Sequence, residues 1–207
     1  MKKLFGSRIL AVLTAAALFS AQQCTVFAAG DGGGSFVFSD TGIQVSSGAS
    51  GYETEGTSLT VDTPGTYTVS GKCADGSIKI KKGTTGVTLI LDGLELTSED
   101  TAPLVCGKSS EVTVTAAEGT ENTLADTEYN NDDENPENEN AENAVIKCKD
   151  GSDVTLCGGG TLNINLTRTG DDESVYGVEY YNTTHSVKNN GKLNINIEAD
   201  ASSYVVG

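Results

Sequence analysis

Apolar and polar residues alternate along this chain in short runs that can be laid over one another. Val87-Thr-Leu-Ile-Leu91, Glu111-Val-Thr-Val-Thr115 and Asp153-Val-Thr-Leu-Cys157 each carry an apolar residue at every second position. That period sends successive side chains to opposite faces and predicts half-buried β-strands. A shorter run of the same kind precedes each: Ser77-Ile-Lys-Ile80, Pro103-Leu-Val-Cys106 and Val145-Ile-Lys-Cys148. Ile78 to Leu104 is a step of 26 residues and Val87 to Val112 a step of 25. A strand–turn–strand unit recurring at that interval predicts a parallel β-stack, a solenoid in which each unit buries its apolar face against its neighbours. The expected fold is therefore an all-β, parallel β-helix.

The register then breaks once. Leu104 to Ile146 and Val112 to Val154 are both 42 residues apart, so one insertion separates the second unit from the third. It occupies 126–143 and is almost entirely Asp, Glu and Asn. Further on, Leu162-Asn-Ile-Asn-Leu166 and Leu193-Asn-Ile-Asn-Ile197 match residue for residue. Asn163, Asn165, Asn194 and Asn196 share the outward face, where amide ladders along a stack are the ordinary arrangement. The chain stops in the apolar run Ser203-Tyr-Val-Val-Gly207. A stack that ends without a polar cap is expected to be truncated at its C-terminal side.

Lys2, Lys3 and Arg8 precede an apolar stretch from Ile9 to Phe19, and Val26-Phe-Ala28 supplies a small-residue cleavage site. This is the pattern of a secretory signal peptide over 1–28, too short to span a bilayer. Residues 29–41 are Gly-rich and read as a flexible leader, and 42–207 as one domain. Secretion, to the medium or the cell surface, follows as the expected location. Loss of the three leader cations takes the formal charge from −16 to −19. So acidic a chain is a poor ligand for nucleic acid, whose binding depends on Lys and Arg neutralising phosphates. No second apolar segment predicts membrane insertion.

The four cysteines beyond the leader are Cys73, Cys106, Cys148 and Cys157. Cys106 and Cys148 hold the same place in successive units, on the inward alternation. Neighbouring strands lie about 4.7–4.9 Å apart, a spacing that accepts either a disulfide or a ladder of buried thiols. The ladder is the simpler arrangement. No spacing among these cysteines and the single His resembles a zinc site.

Thr66-Tyr-Thr-Val-Ser-Gly71, Val87-Thr-Leu-Ile-Leu-Asp-Gly-Leu-Glu-Leu-Thr-Ser98, Ala117-Glu-Gly-Thr-Glu-Asn-Thr-Leu124 and Asn143-Ala-Val-Ile-Lys-Cys148 occur in an order that resembles the bacterial carbohydrate-binding-domain family. The resemblance covers roughly Pro64 to Asn165. It implies a right-handed parallel β-helix related to family-9 polysaccharide lyases. It also implies binding of calcium and of plant-wall polysaccharides such as cellulose or pectin. The chain departs from the family in lacking several later units and in carrying two extra residues within Lys149-Asp-Gly-Ser-Asp-Val154.

Calcium takes six to eight oxygens from carboxylates, amides and carbonyls. The insertion offers them in excess, with Asp126, Asp132, Asp133, Glu134 and Asn143 as candidate ligands. A solvated polar insertion is the equal alternative, since neither common calcium-loop spacing is present. Asp92, Asp150 and Asp153 lie at predicted turns, where an Asp more often bonds its own backbone than a metal. They join the candidate set because turns in a stack can converge. Tyr176 and Tyr180, on one strand face, are the candidate sugar platforms in a chain without Trp.

Catalysis has little to draw on: one His, no Gly-x-Ser-x-Gly elbow, and Arg168, Lys147, Lys149 or Lys188 as bases for a lyase. The expected function is a secreted, calcium-dependent polysaccharide-binding module that is not an enzyme. A lyase-like enzyme on the same scaffold, or a non-catalytic structural or adhesin segment, are the alternatives.

Overall fold

The structure is a computed structural model that describes residues 31–127, 129–131, 134–141, 143–168, 175–180, 187–189, 191–199 and 203–206. The signal peptide expected over 1–28 lies outside the described residues. Among those described, no helix is long and apolar enough to cross a membrane.

The strands run in chain order as β1 (Gly32–Ser39), β2 (Gly42–Val45), β3 (Tyr52–Glu55), β4 (Ser58–Val61), β5 (Gly65–Cys73) and β6 (Ser77–Ile80). They continue as β7 (Val87–Ser98), β8 (Leu104–Cys106), β9 (Glu111–Ala116), β10 (Glu121–Asp126), β11 (Ala144–Cys148) and β12 (Asp153–Gly158). The last are β13 (Thr161–Arg168), β14 (Val175–Tyr180), β15 (Val187–Asn189), β16 (Lys192–Ala199) and β17 (Ser203–Val206). They form two sheets. A ten-stranded sheet follows the path β15-β12-β9-β7-β10-β13-β16 with β5, β1 and β2 attached, and a seven-stranded sheet runs β17-β14-β11-β8-β6-β4-β3.

The rows aligned by counting are the rows that pair. Ile78 lies opposite Leu104, Leu104 opposite Ile146 and Ile146 opposite Val178. In the larger sheet Val87, Val112, Val154 and Val187 form the equivalent row. The inward residues of both sheets merge into one apolar core, from Phe36 and Leu59 to Leu166 and Val178. Each fully buried aliphatic side chain contributes about 1.5–3 kcal/mol relative to exposure.

A right-handed parallel β-helix is nevertheless not what the chain builds. The sheets are mixed: β1 pairs antiparallel with β2, and β3 antiparallel with β4. There is no closed solenoid among the described residues. The twelve-residue β7 serves two partners in succession, β9 through Val87–Leu91 and β10 through Glu95–Ser98, so the larger sheet branches there. The physical reason is that an inter-unit interval reports only which strands are neighbours. It carries no information on closure, and two-residue turns such as Asp40-Thr41 dictate hairpins locally.

The Gly-rich leader is also corrected, for 32–39 are strand β1, parallel to β5 from Gly32 opposite Gly65. Its glycines allow close approach rather than slack: a Cβ on Gly65 would fall on the carbonyl of Gly32. Cys106 and Cys148 are register partners, buried and free, as is Cys73. Their mutual hydrogen bond and burial push the Cys148 thiol well up. On the outer face of the larger sheet, Asn194 Nδ2 donates to Asn163 Oδ1 and Asn163 Nδ2 to Glu121 Oε1, both at 2.9 Å. The amide ladder is thus a structural feature of the sheet.

Candidate functional site

Alternation in the seven-stranded sheet places Ile78, Ile80, Leu104, Cys106, Ile146 and Cys148 in the core. The opposite row is Lys79, Val105, Lys147 and Glu179, in register across β6, β8, β11 and β14. Although on the outward row, Lys147 is only 1% exposed, because the segment between β10 and β11 folds over it. Its Nζ donates to the Glu139 carbonyl at 2.8 Å.

Beside it opens a cavity of about 600 Å³ lined by Lys79, Lys82, Lys108, Lys147 and Lys149. Two carboxylates share the lining: Glu139, 2.9 Å from the Lys149 ammonium, and Asp150, 2.5 Å from that of Lys108. Five ammonium groups against two carboxylates make this a positive concavity on a chain of formal charge −16. A cleft lined by one sign of charge raises the local concentration of ligands of the other. The Lys149 ammonium, bonded to Glu139, holds its carboxyl below the usual range, with Lys79 and Lys147 adding to the effect.

The insertion is folded onto the protein by its amides. Asn138 Nδ2 donates to the Asp100 carbonyl, the Ala102 amide to the Asn140 carbonyl, and Asn135 Nδ2 to the Tyr129 carbonyl. At its root, Asp126 is 6% exposed and accepts from Asn130 Nδ2 at 3.1 Å, while the same amide donates to the Ala144 carbonyl. The Asn143 amide closes the loop on the Asn130 carbonyl at 2.6 Å. Asn143 takes φ 51°, a left-handed conformation that Asn tolerates better than most residues. Two buried oxygens in this neighbourhood, Asn130 Oδ1 and Ser98 Oγ, have no hydrogen-bond partner, and Ser98 is the register partner of Asp126.

Of the sequence-predicted metal ligands, Asp126 and Asn143 are therefore brought together around Asn130. Asp132 and Asp133 lie outside the described residues. Glu134 is exposed, its amide bonded to Asn131 Oδ1. Asp92 is exposed within strand β7 rather than at a turn; at the register irregularity beside it, Asn122 Oδ1 caps the Gly93 and Leu94 amides. Asp150 and Asp153 line a second cavity of about 460 Å³ together with Glu111, the register partner of Asp153. Among the described residues, no three acidic, His or Cys side chains cluster as a metal site.

Tyr176 and Tyr180 lie opposite Ala144 and Cys148, on the row of Ile146 and Val178 rather than the lysine row. Tyr176 is half-buried, and the side chain of Tyr180 lies outside what is described. Sequence reading named Lys147 and Lys149 only as lyase bases and passed over Lys79, Lys82 and Lys108. A signal was available: with Ile80, Cys106 and Cys148 aligned, Lys81, Gly107 and Lys149 fall in one column and Lys82, Lys108 and Asp150 in the next.

Three comparisons bear on this site. A family described as carbohydrate-binding domain-containing protein matches residues 55–171, which include the whole lysine-lined cavity. A carbohydrate-binding domain-containing protein of Acetivibrio thermocellus is 36% identical over 103 residues, 49% of this chain and 35% of its own length. The alignment thus spans about a third of that relative. The solved structure of a polysaccharide lyase-like protein from C. thermocellum, a gadolinium derivative, superposes with a TM-score of 0.57 at 20% identity, over 84% of this chain and 96% of its own. At that identity the likeness is one of fold. With more than half of its residues matched, this chain belongs to the carbohydrate-binding domain-containing family.

Proposed function

We propose that the protein is a secreted polysaccharide-binding module that holds plant-wall glycans of the cellulose or pectin kind without cleaving them. The observation that carries this reading is the lysine-lined cavity on the outer row of the seven-stranded sheet, inside the family-matched span. Lysine ammonium groups donate to sugar hydroxyls and ring oxygens, and pair with carboxylates where a glycan carries them. Retention of the mature chain on immobilised pectin and on cellulose tests the reading. Binding that weakens at least tenfold when Lys79 and Lys108 are both changed to Ala supports it, and retention unaffected by that change overturns the site. Pectate incubated with the protein is expected to give no ultraviolet-absorbing unsaturated product; a rise in that absorbance would make the protein a lyase.

Calcium belongs to the same proposal. The donor set at the root of the insertion suits a hard cation: the Asp126 carboxylate, with the buried and unpartnered oxygens of Asn130 and Ser98 beside it. Bound there, the ion would neutralise part of the insertion's charge and tie the ends of β10 and β7 together. Titration calorimetry should show calcium binding at roughly 10⁻⁴–10⁻³ M. Asp126→Asn should weaken it by tenfold or more. Heat unchanged by that substitution would remove this site from the proposal.

A further inference from the structure

The positive cavity already contains a carboxylate, and it comes from the protein itself. Glu139 reaches in from the acidic insertion and meets the Lys149 ammonium at 2.9 Å. The contact has two parts of different character. The Glu139 backbone carbonyl is held by Lys147 Nζ at 2.8 Å, and Lys147 is 1% exposed, so this anchor is out of solvent. The Glu139 side chain is 81% exposed and Lys149 19% exposed, so the carboxylate end lies at the mouth of the cavity.

We infer that Glu139 is a resident stand-in for the carboxylate of a bound uronic-acid residue, and that an acidic glycan binds by exchanging with it on Lys149. The inference rests on the carbohydrate-binding reading above and adds the chemistry that this subsite selects. Three observations carry it. The ammonium groups of Lys149, Lys79 and Lys147 all act on one carboxylate position. That position holds a carboxylate in the protein as it stands, so the lysines around it are already arranged for one. An exposed ion pair is weakly held, so a ligand carboxylate offering the same bond meets little opposition. The buried Lys147 anchor keeps the backbone in place, and the exchange requires only rotation of the Glu139 side chain. No covalent bond is made or broken: the ligand carboxylate takes the place of the Glu139 carboxylate on Lys149, and the displaced Glu139 carboxylate turns into solvent at the cavity mouth.

Glu139→Gln removes the competing charge while keeping the side-chain shape and the backbone anchor. Titration calorimetry with a uronic-acid trisaccharide and with its carboxyl-reduced, neutral counterpart reads the outcome. The variant should bind the acidic trisaccharide about 2- to 5-fold more tightly than the wild type, the range expected on releasing an exposed pair. Any change in its affinity for the neutral trisaccharide should be smaller than the gain for the acidic one. Acetylation by an amine-reactive ester, mapped by peptide mass, supplies a second readout. Lys149 should react several-fold faster in the variant, and the acidic trisaccharide should suppress that reaction in both proteins. Acidic-sugar affinity that is unchanged or lower in the variant overturns the inference, because Glu139 is then a bystander or a ligand contact. Wild-type binding of the neutral trisaccharide alone also overturns it, and leaves the carbohydrate-binding reading standing. If neither protein binds either sugar or the immobilised glycans, the functional reading itself fails and the inference falls with it.

Discussion

Single side chains in this protein are set by where the backbone places their polar atoms. Tyr67 is fully buried, and its hydroxyl lies 2.9 Å from the Gly51 carbonyl and 2.8 Å from that of Thr63. Burial, reinforced by the nearby Asp62 charge, pushes its phenol from 10.0 up to about 12. The folded state therefore holds this proton more tightly than the unfolded chain. Its stabilising contribution is complete below pH 10 and is lost as pH rises from 10 towards about 12. Melting temperatures across that window should fall more steeply in the wild type than in Tyr67→Phe, with the variant about 1–2 kcal/mol less stable at pH 7 from loss of a buried hydrogen bond. Parallel curves would show that the phenol does not titrate in this range. Glu139 presents the opposite sign: its carboxyl is lowered by Lys149, so that contact persists at neutral pH and is lost as acid protonates it.

At the scale of elements, the register irregularity in the middle of β7 is held by a residue 28 to 29 positions away. Asn122, 1% exposed, accepts from the Gly93 and Leu94 amides and donates to Thr120 Oγ1 and the Thr161 carbonyl. One amide thus joins β7, β10 and β13 where the larger sheet branches. Asn122→Ala leaves those buried partners without it, each at a cost of about 1–3 kcal/mol. A loss of stability above roughly 2 kcal/mol in urea unfolding is expected; a loss below roughly 0.5 kcal/mol, the level of an ordinary surface change, would remove Asn122 from this role. The strand rows were legible beforehand, since period-2 alternation and a constant interval fix which residues face the core. The lysine site was not read, because its members are scattered over three strand ends and line up only once those strands are aligned by their core residues. Lys79 and Lys147 are 68 positions apart in sequence and two strands apart in the sheet.

For the molecule as a whole, charge is distributed unevenly. A chain of formal charge −16 has a cavity that collects five lysines, including Lys79, Lys82 and Lys108. Salt should then act in opposite directions on two observables. Raising NaCl from 10 to about 150 mM, which shortens the screening length from roughly 30 to 8 Å, should raise the melting temperature by screening self-repulsion. The same change should weaken retention on pectin by screening attraction to the lysines. Retention that is indifferent to salt would indicate a glycan contact made by neutral groups instead.

The sequence by itself determined the all-β character, the strand rows, the place of the acidic insertion and the pairing of Cys106 with Cys148 as neighbours. All of these follow from local periodicity and counting, which act through backbone geometry and hydrophobic burial. It also carried four segments whose resemblance pointed to the family that matches residues 55–171. Tertiary structure alone decided that the sheets are mixed and, among the described residues, unclosed, because closure depends on long-range strand pairing that no interval encodes. It alone showed that β1 is strand, because glycines needed for close packing look, in a sequence, like glycines conferring slack. Above all it decided that the acidic insertion is held on lysines of the protein's own sheet: the partner of a charge is fixed by proximity in the fold, and composition records only that the charge exists.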